Sequence, residues 1–368
     1  MIGSNVLIAA LAALATPALA QGPGDQLVCA KGDIAACGRA IAAPGLDASS
    51  LARLYETRGR LQDRARRADL AIADFTRALE RDPGLTRALV GRAVAHEHRG
   101  EIDAAAADLT AALELEPQNS EARLDRANVA LMRGDRNAAL SDLEKAIASD
   151  PGNAHAYYAR AVVRDIDDDS AGAIGDLDKA MALDAKLAVS ALTERGEIRA
   201  GLGDRAGARD DFSAALQRDP AAAGALIDRG YIAYAEGDLA AAARDLARGL
   251  AIGAPRFVGP EAARFLFLAR ARAGRPDASL LESAAADGEG GAWPSPLAEF
   301  LKGDRSPEAL LAAAVKPAWR CEAQFTIGEW RLAQGQEARD SIAAAAAACP
   351  KALADGWAAR AELARMTR

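Results

Sequence analysis

An Arg followed about sixteen residues later by an Asp recurs about every 34 residues along this chain, and no other feature restricts its fold as much. The Arg column reads Arg58, Arg92, Arg126, Arg160, Arg195 and Arg229, and the Asp column reads Asp74, Asp108, Asp142, Asp176, Asp211 and Asp245. Lys and Arg together make up 45 of 368 residues, so six basic matches in register would arise by chance on the order of once in 10⁵. A fixed period of this length means one structural unit stacked on copies of itself, a design that escapes the size ceiling of a single core. Apolar residues are 51% of the chain and aromatics only 4%. The apolar share is therefore mostly alanine, which suits closely packed helices rather than sheets. The sequence predicts an all-α solenoid.

Six units occupy residues 52–255. Each reads as a helix of about fourteen residues, a turn and a second helix. Pro83, Pro117, Pro151 and Pro220 close four of the second helices, because proline cannot continue a helix and biases its predecessor away from helical angles. Ala185 replaces the stop once, with one residue inserted just after it. The turns carry Gly100-Glu101, Gly134-Asp135, Gly203-Asp204 and Gly237-Asp238, with glycine at the left-handed position and an acid opening the next helix. Arg66-Arg67 and Asp168-Asp169 depart from this pattern. Small residues stand where paired helices must touch: Gly59, Ala93, Ala127, Ala161, Gly196 and Gly230 on first helices, with Phe75, Leu109, Leu143, Leu177, Phe212 and Leu246 forming the core stripe on second helices. The Arg and Asp of a unit lie equally far from its turn, so an antiparallel hairpin brings them level as an ion pair that locks its register. The competing reading is a ligand-binding ladder of one side chain per repeat.

The period and the order Gly/Ala, Ala, Phe/Leu, Ala, Pro, as in ALVGRAVAHEHRGEIDAAAADLTAALELEP, resemble the tetratricopeptide repeat (TPR) family over about 200 residues. The resemblance implies a right-handed superhelix of antiparallel helix pairs whose first helices line a concave, peptide-binding groove. First-helix residues that neither belong to the Arg column nor face the hairpin are then the candidate wall: Val90, Val94, Leu124, Asn128, Tyr158, Val162, Ile227, Tyr231 and Tyr234. Exposed aromatic and apolar side chains there would anchor a peptide; alternatively, the next repeat covers them. The carboxylate-clamp pattern of chaperone-binding TPR domains is broken, since Leu124 and Ala159 stand where Lys and Asn would be expected beside Asn128.

Outside the six units the pattern decays. Residues 1–20 read as a secretory signal, with an apolar run from Val6 to Leu14 and Ala18-Leu19-Ala20 as a small-residue cleavage site. The run is short for the alternative of an uncleaved anchor, and Gln21 stands where a lipoprotein would need Cys. Residues 21–51 form an N-terminal capping segment in which Cys37, Ala40 and Ile41 take the places of Phe75, Ala78 and Leu79. Residues 256–290 read as a degenerate hairpin, and 291–368 as a helical C-terminal module that holds all four tryptophans and hence a core unlike that of the repeats. Within it, Ser295-Pro296 and Ser306-Pro307 each suggest a helix N-cap followed by proline. Ala318 to Cys349 suggests a further hairpin about Gly335. CEAQFTIGEW also bears a weak resemblance to closing segments of bacterial exported TPR proteins. In an exported chain four cysteines pair, and Cys29 with Cys37 and Cys321 with Cys349 are the natural disulfides. A periplasmic or secreted location follows.

No catalytic, cofactor or metal site emerges. Asp165, Asp167 and Asp169 brush a calcium-loop pattern, but Ser170 occupies the required glycine position, and a solvated turn is the simpler reading. His96 and His98 do not share a helical face, and neither a Gly-x-Ser-x-Gly elbow nor a His-Glu-x-x-His pair occurs. The net charge of −7 without any sustained basic run argues against nucleic acid and anionic membrane surfaces. The expectation is a non-enzymatic scaffold or adaptor of the bacterial cell envelope that binds a protein or peptide, without cofactor and without membrane insertion after signal cleavage. Two alternatives remain: an enzyme or small-ligand binder built on the C-terminal module, and a self-associating structural protein.

Overall fold

A computed structural model describes residues 26, 28–29, 31–253, 258–285, 293–350 and 353–367; residues 1–20, where a secretory signal is expected, and the stretch 286–292 of the Gly/Pro-rich break lie outside the described residues. Every regular element among them is helical, and the chain divides between Pro151 and Gly152 into two compact units.

The first unit holds α1 (Ile34–Ile41) and three hairpins: α2 (Ala48–Arg64) with α3 (Ala68–Arg81), α4 (Thr86–His98) with α5 (Ile102–Leu115), and α6 (Ser120–Met132) with α7 (Arg136–Ser149). Asp47, Asn119 and Asp135 cap their helices, each carboxylate or amide oxygen accepting a backbone N–H from the first turn at 2.7 to 3.0 Å. Gly100 and Gly134 take left-handed angles between paired helices, and Arg66 adopts the same conformation with φ of 59°. The departure in sequence is thus not a departure in geometry. At Gly59 an added Cβ would stand 3.0 Å from the Phe75 ring, so the small residue lets the two helices close over the aromatic side chain. In the capping segment Asp33 accepts from the N–H groups of Ala35 and Ala36 at the start of α1. Cys29 and Cys37 are disulfide-bonded, and they bury with Ala40 beneath Leu54 of α2.

The second unit continues with α8 (Ala154–Ile166) and α9 (Ser170–Leu183), α10 (Ala188–Gly201) and α11 (Arg205–Arg218), and α12 (Ala223–Glu236) and α13 (Leu239–Ile252). A 3₁₀ turn at Ala185–Leu187 absorbs the inserted residue where the proline stop is missing. Then come α14 (Gly259–Arg272), the short α15 (Leu280–Ala285), α16 (Ser295–Lys302), α17 (Pro307–Ala313), α18 (Pro317–Ala333), α19 (Arg339–Ala348) and α20 (Ala354–Met366). Ser306 caps α17 as its sequence suggests, accepting from Ala309 N–H at 3.2 Å. Ser295 does not cap α16: it is the first helical residue, and Pro294 stands at the cap. Helices α18 and α19 form a hairpin about Gly335 that repeats the packing of the regular units, with Gly328 on Ile342 in place of Gly on Phe, and the Cys321–Cys349 disulfide closes its open end.

The tryptophan-bearing core of the C-terminal residues is continuous with that of the last repeats. One apolar cluster runs from Leu192 and Phe212 through Tyr234, Phe265 and Phe325 to Ala361. The reason is that α14, α18 and α20 pack on α12. Arg365 of α20 donates to the Ala235 carbonyl oxygen at 2.6 Å, and Arg264 of α14 donates to both carboxylate oxygens of Asp355 at 2.7 and 2.9 Å. The buried Arg264 and Asp355 are paired, as charges removed from water must be.

Candidate functional site

The six Arg–Asp pairs all form within their own hairpins. In each, Nε and Nη2 of the Arg donate to the two carboxylate oxygens of the Asp at 2.6 to 3.1 Å. The Asp side chains are 2% to 17% exposed, so the bidentate geometry operates largely out of water. A second role went unread in the sequence. The remaining Nη1 of Arg92 reaches Thr76 Oγ at 3.2 Å, that of Arg126 reaches Thr110 at 3.5 Å, that of Arg229 reaches Ser213 at 3.2 Å, and that of Arg195 reaches Asp178. Each of these partners belongs to the second helix of the preceding repeat, two residues beyond the Asp column, so one guanidinium straps two units together. The polar residues at that offset were the available signal. With these oxygens consumed internally, the columns offer little to a ligand.

The candidate wall residues divide by unit. In the first unit Val90 and Val94 line a cavity of about 430 Å³ whose other walls come from α2, α4 and α6: Glu56, Arg60, Arg87, Glu121 and Asp125, with Phe75 of α3 at its base. Leu124 and Asn128 are half-buried and stand outside that lining. In the second unit Tyr158 and Val162 are half-buried. The Tyr158 phenol is pushed up to about 12 by burial and by the carboxylates Glu194 and Glu197.

Ile227, Tyr231 and Tyr234 are not groove residues. Their exposures are 0%, 5% and 0%, because Ile227 packs on Gly249 of its own hairpin while α14 and α18 cover the two tyrosines as a further repeat would. The Tyr234 hydroxyl donates to Glu329 at 2.7 Å, its ring meets Phe265 edge-on at 5.0 Å, and the Tyr231 ring lies 4.8 Å from Phe265.

What the first helices present instead is carboxylate. Asp125 is pushed up to about 7 by burial and by Glu121 and Glu97. Across successive first helices of the second unit stand Asp165, Glu194, Glu197 and Asp228. Burial and then Glu194 push Glu197 up to about 7. Burial and Glu197, with which it shares a hydrogen bond, raise Asp228 well above the carboxylate range. Three of these acids, Asp125, Glu194 and Asp228, immediately precede an Arg of the column. A lone acid on a helix face reads as solvated, so the pattern gave no sign of this proximity. His96 is bound to its own turn, Nδ1 lying 2.6 Å from Glu101, and His98 Nδ1 lies 2.8 Å from Asp63.

A tetratricopeptide-repeat family model matches residues 56–120, 99–153, 124–188 and 193–257, which together span more than half of the chain. The chain belongs to the tetratricopeptide repeat family. The TPR chain is also similar to solved structures. A tetratricopeptide repeat protein from Parabacteroides merdae superposes with a TM-score of 0.51 at 18% identity, over 67% of this chain and 96% of that one. Pseudomonas aeruginosa PilF does so with a TM-score of 0.50 at 18% identity, over 55% and 93%. At this identity the likeness is one of fold. Comparison with curated proteins yields no match.

Proposed function

We propose that this TPR protein is a non-catalytic interaction scaffold of the bacterial cell envelope, and that it grips a segment of a partner protein between the first helices of its N-terminal unit. The observation that carries this reading is the cavity of about 430 Å³ bounded by three successive first helices, with Val90, Val94 and Phe75 as an apolar floor and charged side chains around it. A concave, mostly preformed surface with an apolar floor and a few fixed charges is what recognition of a side chain requires. The two disulfides support an oxidising compartment reached through the signal at 1–20, and no helix among the described residues is long and apolar enough to cross a membrane. The test is capture from an envelope extract by the intact chain and by Val94→Glu, which places a charge on the cavity floor. A partner retained by the intact chain and lost by the variant, with the melting temperature unchanged, supports the reading; equal retention refutes it.

A further inference from the structure

A second cavity, of about 360 Å³, lies in the C-terminal part of the second unit, between α14, α16 and α18. Leu281, Leu297, Leu301 and the Trp293 indole give it an apolar lining, and three ionisable side chains face it: Glu261 and Arg264 from α14, and Glu322 from α18. Among the described residues the carboxyl groups at this place outnumber the cations. Arg264 spends Nη1 and Nη2 on Asp355, and Nη1 also reaches Thr326 Oγ at 3.1 Å. Its nearest approach to Glu261 is 3.9 Å, beyond hydrogen-bonding distance. Glu322 accepts a hydrogen bond from Trp293 Nε1 at 3.0 Å, which orients the carboxylate without neutralising it. Among the described residues one guanidinium therefore faces three carboxyl groups. Burial and Asp355, with which it shares a hydrogen bond, push Glu261 up to about 8, and burial and Asp355 also raise Glu322, so both acids hold protons more readily than ordinary glutamates. The wall that carries the unmatched charge is rigid. Trp293 stacks on Trp319 with centroids 5.4 Å apart and planes 10° apart, and α18 is tied to α19 by the Cys321–Cys349 disulfide. Behind Glu261 the Tyr231 hydroxyl is buried, with no hydrogen-bond partner among the described residues.

We propose that this cavity binds an organic monocation with a short apolar stem, its ammonium or guanidinium head between Glu261 and Glu322 and its stem against Leu297, Leu301 and Trp293. An anion would meet two carboxylates and an Arg already neutralised by Asp355. A neutral apolar ligand would strip water from the two acids and give nothing back, which is costly. A cationic head pairs with Glu322 and favours release of the Glu261 proton, and a stem fills volume that the head alone would leave open. The same chemistry is carried by a free alkylamine and by a Lys side chain of a polypeptide. The site is independent of the cavity in the N-terminal unit and stands or falls separately.

The test is direct, because the indole N–H of Trp293 points at Glu322 and reports on the site. In the ¹⁵N-labelled full chain, with the Trp293 indole resonance assigned through Trp293→Phe, n-butylammonium chloride is expected to shift that resonance saturably. The isosteric 1-butanol should bind at least about tenfold more weakly, the loss of one charged hydrogen bond. Nα-acetyl-lysine amide, compared with its norleucine counterpart, identifies the source: binding of the lysine compound supports a polypeptide ligand, and binding of butylammonium alone supports a free amine. Glu322→Gln, which preserves shape, should weaken butylammonium by about tenfold or more. The absence of a saturable shift with either amine, or equal shifts from butylammonium and butanol, overturns the proposal with no variant needed.

Discussion

At the scale of single residues, the repeating pair and the small residue beside it do most of the structural work. Asp142 accepts from Arg126 at 2.8 and 2.9 Å with its side chain 8% exposed, whereas the Arg126 side chain is 29% exposed. Asp142→Ala therefore loses a charged, bidentate contact without stranding a fully buried cation, and we expect a cost of about 2 to 3 kcal/mol by chemical denaturation. A cost within error of zero would remove the register lock. Gly196 tests packing at the neighbouring position, since a Cβ there would stand 2.6 Å from the Phe212 ring. Gly196→Ala should destabilise by about 1 to 3 kcal/mol, and Phe212→Leu should restore part of the loss, because units with Ala on the first helix carry Leu on the second. The columns were legible in the sequence because each position recurs. The Arg strap to the preceding repeat was equally periodic, at Thr76, Thr110, Asp178 and Ser213, yet the antiparallel pairing of a single hairpin does not bring it to notice.

At the scale of elements, the hairpins follow from turn chemistry, and the terminal ones survive where that chemistry weakens. Arg66 and Asp168 stand at φ of 59° and 62° where other turns use glycine, so the flanking helices impose the angle. Helices α18 and α19 keep the small-on-large contact of the repeats, Gly328 on Ile342, and add the disulfide between residues 28 apart in sequence. In the chain-entropy model that closure is worth about 3 to 4 kcal/mol. The Cys321→Ser, Cys349→Ser variant should therefore unfold at a lower denaturant midpoint with a somewhat steeper slope, since the freed chain exposes more surface, and an unchanged midpoint would deny the disulfide its role. What the sequence did not disclose is the fate of α12. Its Ile227, Tyr231 and Tyr234 occupy the positions that line a groove in an open repeat. The helices that cover the two tyrosines hold on through pairs such as Arg264–Asp355 and Arg365–Ala235, separated by 91 and 130 residues, and no periodicity announces contacts of that range.

At the scale of the whole molecule, the unbalanced carboxylates set how stability responds to pH. Glu261 is pushed up to about 8, and Asp125 and Glu197 to about 7, all from the ordinary carboxylate range. Between about pH 4.5 and 8 the native chain thus keeps protons that the unfolded chain has released, and stability falls as pH rises through that window. A third of the Glu261 side chain reaches solvent, which screens the effect and makes the slope shallow. The melting temperature is expected to decline from pH 5 to pH 8, and Asp125→Asn, Glu197→Gln and Glu261→Gln together should flatten the profile. A rise over the same interval would contradict these environments. The functional claim turns on where a partner touches the protein, which site-specific photo-crosslinking in the native host measures. A photoreactive residue at Val94, on the floor of the N-terminal cavity, is expected to give a discrete crosslinked species, while one at exposed Met132, outside that cavity, gives none. No crosslink at Val94, or the same crosslinks from both positions, would contradict the account.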